Sequence, residues 1–133
     1  MIEQINHIAI AVRSLEENIP FYRDVLKLEY RGTEVVEDQK ARLAVFRVGE
    51  VNIELLEPTD ADSPITAFIE KRGQGMHHIS YQVDDIEKQI AELKGKQIRM
   101  IDETPRSGAR GSRIAFLHPR SSAKVLTELT QLK

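Results

Sequence analysis

Apolar positions follow two rhythms along this chain, strand-like and helix-like, and the same order of rhythms occurs twice. Over residues 5–12, Ile8, Ile10 and Val12 alternate with His7, Ala9 and Ala11, which predicts a half-buried strand. Ser14 then stands three positions before Glu17, forming a capping box, and Leu15, Ile19, Tyr22 and Leu26 recur at helical spacing. Pro20 sits inside that pattern and predicts a distorted or restarted helix. Strands are expected at 28–36, 41–48 and 51–57, with Gly49-Glu50 as the turn between the last two. An acidic, turn-rich connector covers 58–64, and a short helix over 65–71 closes at Gly73.

The order then restarts. Residues 76–83 read as a strand with Ile79, Tyr81 and Val83 on one face. Asp84-Asp85 caps a helix carrying Ile86, Ile90 and Leu93 that ends near Gly95. Short strands are expected at 97–102, 112–118 and 124–131, with a Gly- and Arg-rich loop over 105–111. Met76 and Tyr81 read as core or cavity wall, and His118, before Pro119, reads as a turn residue.

Laid over each other, the halves match. Asn6-His-Ile-Ala-Ile-Ala-Val12 falls on His77-His-Ile-Ser-Tyr-Gln-Val83, and Val51-Asn-Ile-Glu-Leu55 falls on Val125-Leu-Thr-Glu-Leu129. The expected fold is α+β, two pseudo-symmetric β-α-β-β-β modules of about 60 residues each, a size that is marginal alone. Together they form a single domain over 1–133: module one at about 1–58, the connector and short helix at about 59–74, and module two at about 75–133.

Composition narrows the chemistry. With 19 Lys+Arg against 21 Asp+Glu the net charge is −2, a balance that argues against nucleic acid or an anionic membrane as partner. The longest apolar run, Ile8–Val12, is far shorter than the roughly 20 residues a membrane span needs. Met1-Ile-Glu-Gln4 has neither the basic patch nor the apolar stretch of a signal peptide, so a cytoplasmic domain is expected. Zero cysteines exclude disulfides, a thiolate nucleophile and Cys-type zinc sites. Any metal must be held by His and carboxylate.

The repeat supplies such a set. His7 pairs with His78 on the two first strands, and Glu54 pairs with Glu128 on the two last. His77 is set aside because it falls on Asn6 and because strand neighbours face opposite ways. Two imidazoles and two carboxylates suit a six-coordinate divalent ion such as cobalt, nickel, manganese or zinc. The set is too rich in oxygen for a structural tetrahedral zinc site. Arg106, Arg110 and Arg113, in or beside the glycine-bearing loop, suit a clamp for phosphate groups.

These residues resemble the vicinal-oxygen-chelate (glyoxalase-like) superfamily and, more closely, its methylmalonyl-CoA epimerase family. The likeness covers nearly the whole chain: His7-Ile-Ala-Ile-Ala-Val-Arg13, Ile53-Glu-Leu-Leu-Glu-Pro58, Gly75-Met-His-His-Ile79, Ile101-Asp-Glu-Thr-Pro-Arg106, Ala115-Phe-Leu-His-Pro119 and Val125-Leu-Thr-Glu-Leu-Thr-Gln131. The resemblance implies an open metal-holding cup, a metal bound by His7, Glu54, His78 and Glu128, and epimerisation at C2 of an acyl-CoA through an enolate. Glu128 is then ligand and base, and a homodimer is expected by analogy. In some members a second glutamate from the third strand is the partner base, and Leu43 stands at that position here. Glyoxalase I, acting on a methylglyoxal–glutathione hemithioacetal, uses the same ligand set. A basic residue with which it binds glutathione falls on Ala11. A non-enzymatic binding or resistance protein of the same fold is the other alternative.

Overall fold

The structure, a computed structural model, describes all residues from Met1 to Lys133. It is an α+β chain whose residues group into two compact units, His7–His77 and Met1–Asn6 with His78–Lys133. Strand β1, Ile2–Ala11, begins earlier than the apolar alternation predicts and contributes to both units. Its first residues group with the second module for a visible reason. The Met1 carbonyl accepts from the Asp84 N–H at 3.3 Å, the Asn6 amide donates to Gln82 Oε1 at 3.2 Å, and Gln82 donates to Glu3 at 3.1 Å.

In the unit His7–His77, β1 leads into helix α1, Leu15–Pro20, then strands β2 (Glu29–Val36), β3 (Ala41–Val48) and β4 (Val51–Pro58), and helix α2, Pro64–Arg72. The strand order is β2-β3-β4-β1, with β1 parallel to β4 and the other pairs antiparallel. Ser14 caps α1 by accepting from the Glu17 N–H at 3.2 Å, as the capping box predicts. Pro20 has no N–H to give, and the chain continues past it as a π-helical turn, Phe21–Val25. Beneath α1 lie Val12, Leu15, Ala44, Phe46 and Leu55, with Ile10, Ile19, Tyr22 and Tyr30 packed around them. The Phe46 ring sits 5.6 Å from Tyr22 and 5.3 Å from Tyr30.

The second unit repeats the plan with β5 (Gly75–Val83), α3 (Ile86–Gly95), β6 (Arg106–Ser107), β7 (Arg113–Leu117) and β8 (Thr127–Gln131). Its strand order is β5-β8-β7-β6, and β5 and β8 are again the parallel pair. Val83, Ile86, Ile90, Met100, Ala115, Leu117 and Leu129 form the core under α3. The equivalence reaches single bonds. The first N–H of α1, on Leu15, is accepted by Glu57 at 2.7 Å, and that of α3, on Ile86, by Gln131 at 2.8 Å. Each acceptor lies three residues beyond a candidate metal-binding glutamate.

Three expectations need correction. No strand forms at 97–102: α3 runs to Gly95, Gln97 turns left-handed at φ 64°, and only Met100 bridges to Leu117. The Asp102 carboxylate takes the Phe116 N–H at 2.9 Å, a bond a strand neighbour would otherwise make. The edge strand is instead β6, inside the stretch expected to be loop. The alternation on β1 holds as expected, and its small and polar side is the more deeply buried, with Ala9 and Ala11 at 0% exposure and Ile8 and Ile10 half-buried. Met76 is exposed rather than core or cavity wall. His118 does serve a turn, its Nδ1 accepting from the Arg120 N–H at 3.1 Å. No helix is long and apolar enough to cross a membrane.

Phe46→Ala removes the ring on which two tyrosines rest and should cost about 3–5 kcal/mol, read as a lowered urea midpoint. A second test concerns the irregular stretch, which Lys94 ties to α3 by donating to Glu103 at 2.6 Å. The ammonium holds the Glu103 carboxyl below its ordinary range. The tie therefore stabilises the fold above the ordinary carboxylate pKa and is lost as pH falls through the lowered one. Lys94→Met should lower the urea midpoint slightly at neutral pH and leave it unchanged in strong acid.

Candidate functional site

In module one, period-two alternation puts His7, Ala9 and Ala11 on the same face of β1. The parallel register sets Ala9 beside Glu54. Across β4, Val45 stands opposite Glu54 and Leu43 opposite Leu56. This face points away from the α1 core. His7 is 6% exposed and Glu54 2%, and His7 Nδ1 lies 3.5 Å from Glu54 Oε2.

Module two reproduces the arrangement strand for strand. Ser80 is the register partner of Glu128 on β8, and Phe116 stands opposite Glu128 on β7. His78 Nε2 lies 3.8 Å from Glu128 Oε1, with His78 3% and Glu128 2% exposed. The Phe116 ring meets the His78 imidazole edge to face, centroids 5.2 Å apart. Thr130 Oγ1 donates to Glu128 Oε1 at 3.0 Å and lies 2.5 Å from Ser80 Oγ. In both modules, then, the glutamate stands beside the residue two positions after the histidine. His77 has no part in this pair; its ring packs against Phe68 of α2 at 4.9 Å.

The imidazole–carboxylate separations exceed those of good hydrogen bonds. Two donors held about 2.1 Å from one ion lie roughly 3–3.5 Å apart, a range the His7–Glu54 pair meets and the His78–Glu128 pair, at 3.8 Å, slightly exceeds. His7, His78 and Glu128 form a group of nitrogen and carboxylate donors with no thiolate, compatible with a divalent metal, and Glu54 is not part of that group.

The three arginines part company. Arg106 stands opposite Ile114, and hence on the Phe116 side of the second module, with its Nε 3.1 Å from Asp102 Oδ1. Arg110 is exposed in a tight turn, left-handed at φ 55°. Arg113 lies on the other face of β7, where it donates to Glu87 of α3 at 2.9 Å. The three therefore do not form one cluster, because alternate strand residues face opposite ways.

Sequence reasoning overlooked Ser80, Thr130, Asp102 and Phe116. A signal for the first two exists in the repeat: a hydroxyl replaces the aliphatic twin, Ser80 for Ala9 and Thr130 for Leu56. Asp102 and Phe116 carry no such mark, since their bond and ring contact arise from chain packing.

Comparison with known proteins agrees with this geometry. The family model for the glyoxalase/bleomycin resistance protein/dioxygenase superfamily matches residues 6–116. The mitochondrial methylmalonyl-CoA epimerase of Mus musculus is 38% identical over 129 residues, covering 96% of this chain and 72% of the mouse protein. The chain belongs to the methylmalonyl-CoA epimerase family of that superfamily. Among solved members, a variant of the Streptomyces coelicolor methylmalonyl-CoA epimerase in complex with 2-nitronate-propionyl-CoA superposes with TM-score 0.95 at 38% identity, over 99% of this chain and 96% of that one. A methylmalonyl-CoA epimerase in complex with methylmalonyl-CoA and NH4+ gives 0.95 at 37%, with the same coverage. The uncharacterized protein YqjC of Bacillus subtilis is 43% identical over 130 residues, 98% of this chain and 93% of that protein.

Proposed function

We propose that this protein is a metal-dependent epimerase that interconverts the two C2 epimers of methylmalonyl-CoA through an enolate. The observation that carries the reading is the doubled histidine–glutamate pair, buried at equivalent register positions in a chain of the epimerase family. His7, Glu54, His78 and Glu128 together hold one divalent ion: cobalt, nickel, manganese or zinc. When bound, that ion supplies Lewis-acid stabilisation to negative charge developing on substrate oxygen.

The chain's own residues do the rest. Glu128 takes the C2 proton, and the electron pair of the broken C–H bond moves into the thioester carbonyl to give the enolate. A proton returned to the opposite face completes the inversion. Leu43, buried and aliphatic, neither takes nor gives a proton, so a partner base at that position is not available to this chain. Arg106, held by Asp102, and Arg110, on its turn, are the cations for the anionic groups of CoA; Arg113, tied to Glu87, is left out.

Glyoxalase I shares the donor set, but Ala11, at 0% exposure, leaves no basic side chain where that enzyme meets glutathione. A cytoplasmic homodimer is the assembly and location we propose, and gel filtration against light scattering checks the dimer.

Cobalt or nickel at a hundred times its dissociation constant should raise unfolding free energy by about 2.7 kcal/mol, read as a higher melting temperature. His7→Ala and His78→Ala should abolish that rise, and Glu128→Ala should weaken it strongly. The protein should exchange the C2 proton of methylmalonyl-CoA in deuterated water and leave a methylglyoxal–glutathione mixture unchanged. Glu128→Ala should lose exchange by roughly a hundredfold or more. Turnover of the glutathione adduct alone would reverse the assignment, and a folded protein with no metal affinity would favour a plain binding role.

A further inference from the structure

The two carboxylates of this chain are twins in sequence but not in surroundings. Around Glu128 stand two hydroxyls, Thr130 on its own strand and Ser80 on the parallel neighbour. At the equivalent positions around Glu54 the chain has Leu56 and Ala9, whose side chains donate nothing. On the antiparallel side the register neighbours are apolar in both modules: Val45 and Leu43 in one, Phe116 and Ile114 in the other. The hydroxyl pair is thus a difference between the half-sites at two matched positions.

Its polarity can be worked out. A hydroxyl carries one proton. Thr130 spends its proton on Glu128 Oε1, so in the 2.5 Å contact Ser80 must be the donor and Thr130 the acceptor. The chain of donation runs Ser80 to Thr130 to Glu128. Ser80 is 0% exposed, and Thr130 and Glu128 are each 2% exposed, so bulk water does not compete for these bonds. The oxygen that Thr130 holds is also the one that faces His78. This contact fixes the rotation of the carboxylate about its last torsion, which is broad and soft when left to itself.

We infer that the Ser80–Thr130 hydroxyl pair positions the Glu128 carboxylate and so makes it, rather than its twin Glu54, the carboxylate that works on the substrate. Ser80 and Thr130 are positioning residues, acting through Glu128 and touching no substrate. The inference rests on the epimerase reading above and adds to it a cause for the division of labour. Groups that orient metal-binding side chains in this way typically contribute 10–100-fold to metal affinity or activity.

The test uses the cobalt-loaded protein, with cobalt affinity measured by calorimetry and kcat and KM measured for C2 proton exchange of methylmalonyl-CoA. Thr130→Val should lower kcat by roughly ten- to a hundredfold, with weaker cobalt binding and an unchanged KM. Thr130→Ser, which keeps the hydroxyl, should restore both. Ser80→Ala should shift both in the same direction by less, because Thr130 keeps its proton for Glu128. Should Thr130→Val fail to fold, Ser80→Ala carries the test, since module one already accepts alanine at that position. Wild-type cobalt affinity and kcat in Thr130→Val, or in Ser80→Ala where it alone folds, would overturn the inference. So would a Thr130→Ser variant as impaired as Thr130→Val, which would assign the effect to packing. A wild-type protein that binds no cobalt and exchanges no proton would instead overturn the epimerase reading, and this inference with it.

Discussion

A carboxylate taken out of water costs several kcal/mol unless charge or hydrogen bonds compensate. This chain takes out two, Glu54 and Glu128, each 2% exposed. Each is met by an imidazole from the neighbouring parallel strand. The rest of each module serves that meeting. A parallel pair needs a crossover, and the crossover must leave the strand's partner side open, so each helix covers one face of its strands and the polar pair occupies the other. The hydrogen bond from each helix's first N–H to the strand carrying the glutamate ties helix start and strand end together. A slip of one residue in either parallel pair would turn the imidazole into the apolar core and break the site and the core at once.

Duplication explains why so short a chain can present four metal-type donors, and it also leaves room for specialisation. The donors agree between modules while the residues around them differ. Glu128 is held by a hydroxyl pair, and the two matched positions near Glu54 carry Ala9 and Leu56. Epimerisation takes a proton from one face of a carbon and returns one to the other, so the base must be held at one face of that carbon.

Much of this was legible in one dimension because it is periodic. Alternation placed His7 and His78 on equivalent strands, the capping box marked α1, and Pro20 announced the distortion that follows it. The failures cluster where side chains, not periodicity, dictate the path. The 97–102 segment has strand-like composition, yet Asp102 supplies the hydrogen bond that a strand would have supplied, and the edge falls to Arg106–Ser107. Alternation on β1 separates two faces without telling which is the deeper. Ala9 and Ala11 are small because the space beside them is occupied, while Ile8 and Ile10 lie partly open.

The sequence by itself determined the doubled plan, the absence of thiolate chemistry, and the four side chains that the repeat singles out. Those are properties of residue type and spacing, which a strand or helix of fixed period converts directly into a face. Only the tertiary structure decided which oxygen of Glu128 is held, that Arg113 stands apart from Arg106, and that Phe116 meets the His78 ring. Such facts depend on strand register and on bonds between residues distant in the chain, and no local rhythm encodes them.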